Sequence, residues 1–383
     1  MAVVALPSPH HHCGEAQKTT STSTSTRRWL PWTQWLGEMW SPMPVVLWHG
    51  LGDSAYSEYM NHAKEELEAM YPGIYVHIIA LKETETEDRS ATLFGNVNEQ
   101  LEAVHEQLRA IPELRHGFDA IGFSQGGQFL RGYVERFNTP AVRNLITFGS
   151  QHMGITDLPI CGPDDKLCKT VHRALQSNVY SDLVQSTIVI AQYFRDTRSV
   201  EQFEQYKQHN TFLYDINNEG PLKNVQYKRN LASLNKFVMV RFNQDETVVP
   251  SESAWFRAYE DPDKHRWNQT TPVPLRESEI YLNDWLGLAQ LDRRGALEFH
   301  TCDGIHMHIS PECKAMTIAK YVGRPRTGEW LQVWTKHASH CPHFMVAGVF
   351  IGAILWGAWL FQRRVRRQDA AAIQVTEQMS MKY

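Results

Sequence analysis

The pentapeptide Gly122-Phe123-Ser124-Gln125-Gly126 limits what this chain can fold into more than any other segment. A mainly apolar strand, residues 118–123, leads into it, and residues 125–137 carry helical spacing directly after it. A strand that turns into a helix at a single serine makes a sharp, strained bend, where flanking glycines remove side chains that would clash. GxSxG alone is weak; the strand before it and the helix after it give it weight over the plainer reading, a Gly-rich turn around a buried serine. Strands alternating with helices around such a turn predict an α/β fold, a mostly parallel sheet with helices on both faces.

The rest of the chain is read against that expectation. Residues 45–48 form a short apolar strand running into His49-Gly50-Leu51-Gly52-Asp53. Residues 56–70 have helical spacing, 74–81 read as a strand, and 97–111 as a helix with Val97, Leu101, Val104 and Leu108 on one face. Another strand covers 145–148. From 150 to 234 the rhythm changes to polar segments with helical stretches at 170–175, 180–193 and 200–206, an insertion between two sheet strands. Residues 236–242 resume the sheet, 296–301 complete it, and 317–322 begin a closing helix. The expected catalytic domain is 44–336.

Both ends lie outside that domain. Residues 1–43 hold a His run at 10–12, a Ser/Thr stretch at 19–26, and Trp29, Trp32, Trp35 and Trp40. Such composition predicts a disordered tail, or a short amphipathic helix around the tryptophans. No apolar run of signal-peptide length follows Met1. Residues 344–361 carry no charge and precede Arg363, Arg364, Arg366 and Arg367. They predict a transmembrane helix with 362–383 as a basic cytoplasmic tail and the catalytic domain on the lumenal side; a buried core helix is the alternative. The net charge is −4 with no basic stretch fused to aromatics, which excludes nucleic acid as a natural partner. None of the six cysteines forms a CxxC zinc pattern. Cys161/Cys168 and Cys302/Cys313 would each close a short loop as disulfides in an oxidising compartment, or stand as buried thiols.

A serine hydroxyl needs a histidine to take its proton, and the histidine needs a carboxylate to orient it. Where the serine sits on a strand–helix elbow, the chain order is Ser, acid, His. Ser124 is the expected nucleophile. Asp245 follows strand 236–242, at the sheet end where ligands collect, with Glu246 as rival. After the last strand come His300, His306 and His308; His306 follows the Gly304 turn and can swing back over the serine. The oxyanion donors are the backbone N–H groups of Gln125 and Leu51, while His49 holds its loop by hydrogen bonding. This chemistry calls for no metal and no organic cofactor.

At this point the sequence resembles the palmitoyl-protein thioesterases, lysosomal enzymes of the α/β-hydrolase superfamily that remove long-chain fatty acyl groups from cysteine in proteins. The resemblance covers roughly residues 44–325. It is carried by Trp48-His49-Gly50-Leu51-Gly52-Asp53-Ser54, by Gly122-Phe123-Ser124-Gln125-Gly126-Gly127-Gln128-Phe129-Leu130-Arg131, by Asn235-Lys236-Phe237-Val238-Met239-Val240 with Asp245, and by Asp303-Gly304-Ile305-His306. It implies Ser124, Asp245 and His306 as the catalytic set and Leu51 and Gln125 as oxyanion donors. It further implies a disulfide loop at Cys161/Cys168, and an acyl-holding helical lobe at about 150–234. Ser150-Gln151-His152-Met153-Gly154 also matches, with His152 as a structural or site-lining residue. The implied partners are S-acylated proteins and fatty acyl chains. Three departures stand out. His105 and the region of Asn138 occupy positions where animal members carry a disulfide. A C-terminal span and the lack of a leader differ from the soluble lysosomal pattern. One sequon, Asn268-Gln269-Thr270, stands where several are usual. The rival readings are a lipase or carboxylesterase acting on oxygen esters, and a membrane-tethered, inactive lipid-binding protein.

Overall fold

The computed structural model describes residues 41–158, 178–259 and 271–324, together with 169, 170, 172, 173, 175, 261 and 262. Six strands form one sheet: β1 (Val45–Trp48), β2 (Val76–Ile78), β3 (Phe118–Phe123), β4 (Val142–Phe148), β5 (Lys236–Phe242) and β6 (Leu297–Cys302), in the spatial order β2-β1-β3-β4-β5-β6. Every pairing is parallel. Side chains alternate across a strand, so a sheet covered on both faces needs apolar residues at consecutive positions. All six residues of β3 are buried accordingly.

The alternation divides the core in two. Val46, Trp48, Ala120, Leu145, Phe237 and Met239 face one cluster, to which α3 (Val97–Ala110) contributes Val97, Leu101, Val104 and Leu108, and α4 (Gln125–Arg136) contributes Phe129, Leu130 and Tyr133. Val45, Leu47, Ile121, Phe123, Val238 and Val240 face the other, with Met60 and Leu67 from α1 (Glu58–Met70). Helices therefore cover both faces, as the α/β expectation required.

Several bounds differ from the sequence reading. The strand expected at 74–81 is only Val76–Ile78, an edge of the described sheet bonded to β1 alone. The strand expected from 145 begins at Val142, because Arg143 and Asn144 both bond the fully buried Asp119 carboxylate. The helix expected at 180–193 is broken. α5 (Asp182–Thr187) stops at Ile188, which is extended (φ −108°, ψ 112°) and bridges to Phe94; a 3₁₀ turn (Val189–Tyr193) follows. The stretch expected at 170–175 is helical at its described positions. The closing helix at 317–322 is two short ones, α6 (Pro311–Met316) and α7 (Ile318–Tyr321), divided at Thr317. A helix absent from the sequence reading, α2 (Glu85–Ala91), fills the stretch before α3.

The insertion after β4 packs on α4 through a buried arginine. Arg131 donates to Glu135 at 3.0 Å, the Ile216 carbonyl at 3.1 Å, the His152 carbonyl at 3.0 Å and Asn217 Oδ1 at 2.9 Å. Among the described residues no helix is long and apolar enough to cross a membrane; the expected span at 344–361 lies outside them, as does the tail at 362–383 and almost all of 1–43.

Candidate active site

The loops after β1, β3, β5 and β6 all leave the same end of the parallel sheet, so their residues converge on one place. Ser124 stands between β3 and α4 with φ 51°, ψ −120°. This positive φ is costly for a residue with a side chain, of order 1–3 kcal/mol. The bend is held by Ser124 N–H donating to the Phe148 carbonyl at 2.7 Å. The elbow is also tight. A Cβ on Gly122 would come within 2.2 Å of Gly127 Cα, and one on Gly126 within 2.3 Å of the Trp48 carbonyl oxygen. The glycines of the motif are thus required by close approach.

His306 Nε2 lies 2.9 Å from Ser124 Oγ, and His306 Nδ1 lies 2.7 Å from Asp245 Oδ2. The Asp245 side chain is almost fully buried, and its other oxygen accepts from the N–H groups of Thr247 at 2.9 Å and Val248 at 3.0 Å. Three carboxylate bonds fix the acid, and the acid fixes the ring. Glu246, the rival acid, is exposed. His300 stays in β6, edge-on to Tyr321, and burial chiefly, with Lys320 assisting, holds its pKa below the usual imidazole value. His308 is exposed.

A cavity of about 390 Å³ opens above the serine, with Leu51, Tyr59, Phe123, Ile155, Tyr193 and Val248 among its walls and Ser124 and His306 at its base. The lining is mainly apolar, suited to a hydrocarbon chain whose burial contributes about 0.8 kcal/mol per CH₂. Leu51 lies in this wall, and Gln125 heads α4, where helix N–H groups favour negative charge.

A family profile described as palmitoyl protein thioesterase matches residues 44–306. The chain belongs to the palmitoyl-protein thioesterase family. Palmitoyl-protein thioesterase 1 of Caenorhabditis elegans is 40% identical over 268 residues, covering 70% of this chain and 87% of the relative. Palmitoyl-protein thioesterase 3 of Dictyostelium discoideum is 33% identical over 273 residues, 71% and 88% of the two chains. Lysosomal thioesterase PPT2-B of Xenopus laevis is 27% identical over 274 residues, 70% and 86%.

Within this thioesterase the other residues singled out in the sequence can be located where the structure describes them. Cys302 and Cys313 form a disulfide with Cα atoms 5.5 Å apart, bracketing His306. Cys161, Cys168 and Asn268 lie outside the described residues. His152 is buried, stacks on Phe256 with ring centroids 4.7 Å apart, and contacts Thr147 Oγ1 at 3.0 Å. Burial, then Arg131, drives its pKa well below the usual value, so it is a neutral packing residue. At the positions of the missing animal disulfide, His105 stacks on Phe137 at 4.3 Å, and the Asn138 side chain accepts from Val142 N–H at 2.9 Å.

Sequence reasoning missed the residues that support the site. Asp88 of α2 is buried beside His49, their side chains 3.2 Å apart, and accepts from the Ala55 and Leu81 N–H groups at 2.8 and 2.6 Å. Burial raises its pKa, but the His49 contact and these N–H groups outweigh it and hold the carboxyl below the ordinary range. Thus His49 holds its loop through Asp88. Asn243 joins the acid and histidine loops, donating to Asp303 at 2.8 Å and accepting from Gly304 N–H at 2.9 Å. The signal that could have found α2 is Thr84-Glu85-Thr86-Glu87, a capping box in which Thr84 and Glu87 bond at 2.8 Å.

Proposed function

We propose that this chain hydrolyses long-chain fatty acyl thioesters on protein cysteines, with Ser124, His306 and Asp245 as the catalytic residues. The observation that carries the proposal is the hydrogen-bond chain Ser124–His306–Asp245 at the base of a mainly apolar cavity. Ser124 Oγ attacks the thioester carbonyl while His306 Nε2 takes its proton. The carbonyl oxygen, now negative, meets the N–H groups of Leu51 and Gln125, and loss of one such donor costs about 3–4 kcal/mol of barrier in other hydrolases. The tetrahedral carbon then breaks its bond to sulfur, and the departing thiolate, whose thiol pKa is about 8.5, takes the proton back from His306 and leaves as the cysteine thiol. Water then attacks the acyl-enzyme with His306 again as base.

The domain division at 44–336, with its acyl-binding lobe at about 150–234, is part of the same proposal. So is a lumenal, lysosomal setting, supported by relatives named lysosomal thioesterases and by the Cys302–Cys313 disulfide. Residues 344–361 would anchor that domain from the lumenal side, on the strength of their apolar length and the arginines after them. Acyl release by the wild type and Ser124→Ala, on matched palmitoyl thioester and oxygen-ester substrates, tests the function. Loss of release in the variant and preference for the thioester are expected. A strong oxygen-ester preference would instead identify an esterase, and release by Ser124→Ala would remove the nucleophile.

A further inference from the structure

Two backbone N–H groups can stabilise one oxyanion only if their separation is fixed, and here they come from different parts of the fold. Leu51 lies in the loop after β1, between Gly50 and Gly52. Gly52 has φ +74°, and a Cβ placed on it would meet nothing within 4 Å. A loop with glycine on both sides of its donor and open space beside it needs an external tie. Gln125 is at the head of α4, directly after the serine.

Both are tied to Thr92, the residue that caps the C-terminus of α2. Thr92 Oγ1 accepts from Gly52 N–H at 2.8 Å, one residue from Leu51. The same hydroxyl donates to the Arg89 carbonyl at 2.7 Å, which orients its lone pairs. The Thr92 carbonyl accepts from Gln125 Nε2 at 3.2 Å, and Gln125 Oε1 accepts from the Tyr193 hydroxyl at 2.9 Å. Thr92 is 2% exposed, so water does not compete for these bonds. It is absent from the cavity wall and touches no reacting atom.

We infer that Thr92 is a positioning residue for thioester hydrolysis: bonded to both halves of the oxyanion hole, it sets the spacing of the Leu51 and Gln125 N–H groups. Catalytic groups must be held to within about 0.5 Å of their working geometry, and a displacement of about 1 Å can cost 10²-fold in rate. The inference rests on the proposed oxyanion role of Leu51 and Gln125.

The test compares Thr92→Val, which deletes the hydroxyl at nearly constant volume, with Thr92→Ser, which keeps it. Each full-length variant is assayed on a palmitoyl thioester and titrated with a palmitoyl trifluoromethyl ketone. That ketone accepts the Ser124 oxygen at its carbonyl carbon; the carbonyl electron pair moves to oxygen and the serine proton to His306, leaving a stable oxyanion. Thr92→Val is expected to lose roughly ten- to hundredfold in kcat with KM changed by less than about twofold, and the same factor in ketone affinity. Thr92→Ser should recover most of both. If Thr92→Val keeps kcat and ketone affinity within about twofold of wild type, or if its loss lies in KM with ketone affinity unchanged, the inference is wrong. Should the valine variant not fold, Thr92→Ala is judged by the same outcomes. Ser124→Ala run alongside keeps the two readings apart. Activity in that variant overturns the nucleophile itself, whereas its silence beside an unaffected Thr92→Val overturns only the tie.

Discussion

Replacing Asp245 by asparagine changes one atom in the site and asks the structure for a definite answer. The carboxylate serves two sets of donors: Oδ2 faces His306 Nδ1 at 2.7 Å, and Oδ1 faces the Thr247 and Val248 N–H groups. Asparagine can satisfy only one set with its oxygen. Turned toward His306, it would point its NH₂ at two backbone N–H groups and lose two hydrogen bonds that a charged acceptor makes at about 1.5–3 kcal/mol each. Turned toward the backbone, it keeps those bonds and presents NH₂ to His306 Nδ1. The second arrangement wins by several kcal/mol. It forces the imidazole to accept at Nδ1 and so to carry its proton on Nε2, where it can no longer take the proton of Ser124. The same exchange in other Ser-His-Asp enzymes lowers kcat about 10⁴-fold, equivalent to roughly 5 kcal/mol. Palmitoyl thioester turnover by Asp245→Asn should fall by about that factor, with the melting temperature little changed because the backbone bonds persist. Exposed Glu246 provides the control, and Glu246→Gln should leave turnover within about twofold. Asp245→Asn retaining turnover within about tenfold of wild type would show that this carboxylate does not set the tautomer.

Three further outcomes follow from the same geometry. Burial pushes the Glu135 carboxyl up to about 7 despite Arg131, above its ordinary 4.5, so between these values the folded state holds a proton that the unfolded state has released. The stability from this site is complete below pH 4.5 and lost as pH rises through 7; melting temperatures across that range should fall with pH, and Glu135→Gln should flatten the fall, an unchanged slope counting against the assignment. Gly126→Ala puts a Cβ within 2.3 Å of the Trp48 carbonyl oxygen and 2.4 Å of that of His49, so both folding yield and Ser124 labelling by a fluorophosphonate should collapse; normal labelling would contradict the packing. Removing the Cys302–Cys313 bridge by paired alanines, an 11-residue separation, should cost about 3 kcal/mol in denaturant unfolding and lower kcat through the His306 loop, and an unaltered kcat would free that loop from the bridge.

What the sequence made legible was set by burial on both faces of the sheet. The bounds of β3 and β5 match the expected 118–123 and 236–242 because apolar residues fall on both faces of each strand, and Ser124, Asp245 and His306 are brought together as their positions after β3, β5 and β6 suggest. Reading failed where polar side chains do structural work. Arg143 and Asn144 interrupt the apolar run of β4, yet they belong to the strand because Asp119 lies buried across from them. Helix α2 shows no apolar stripe; its buried residues are Ala91 and Asp88, and no hydrophobic pattern announces an aspartate. Ile188 breaks a helix that its neighbours favour, since Val189 N–H finds the Leu93 carbonyl at 3.0 Å instead.

The proposed catalytic base, His306, follows β6, a strand at one edge of the described sheet that pairs with β5 alone. Parts of a fold can open locally at a free energy below that of global unfolding. His306 also lies 182 residues after the serine it serves. With His306 in that role, a ribosome-bound chain carrying Ser124 is inert until all six described strands have been made. A mature molecule whose last strand frays falls silent while the rest of it stays folded. Loss of turnover should thus precede every spectroscopic sign of melting, and the acyl-cleaving machinery reports on the last strand to dock.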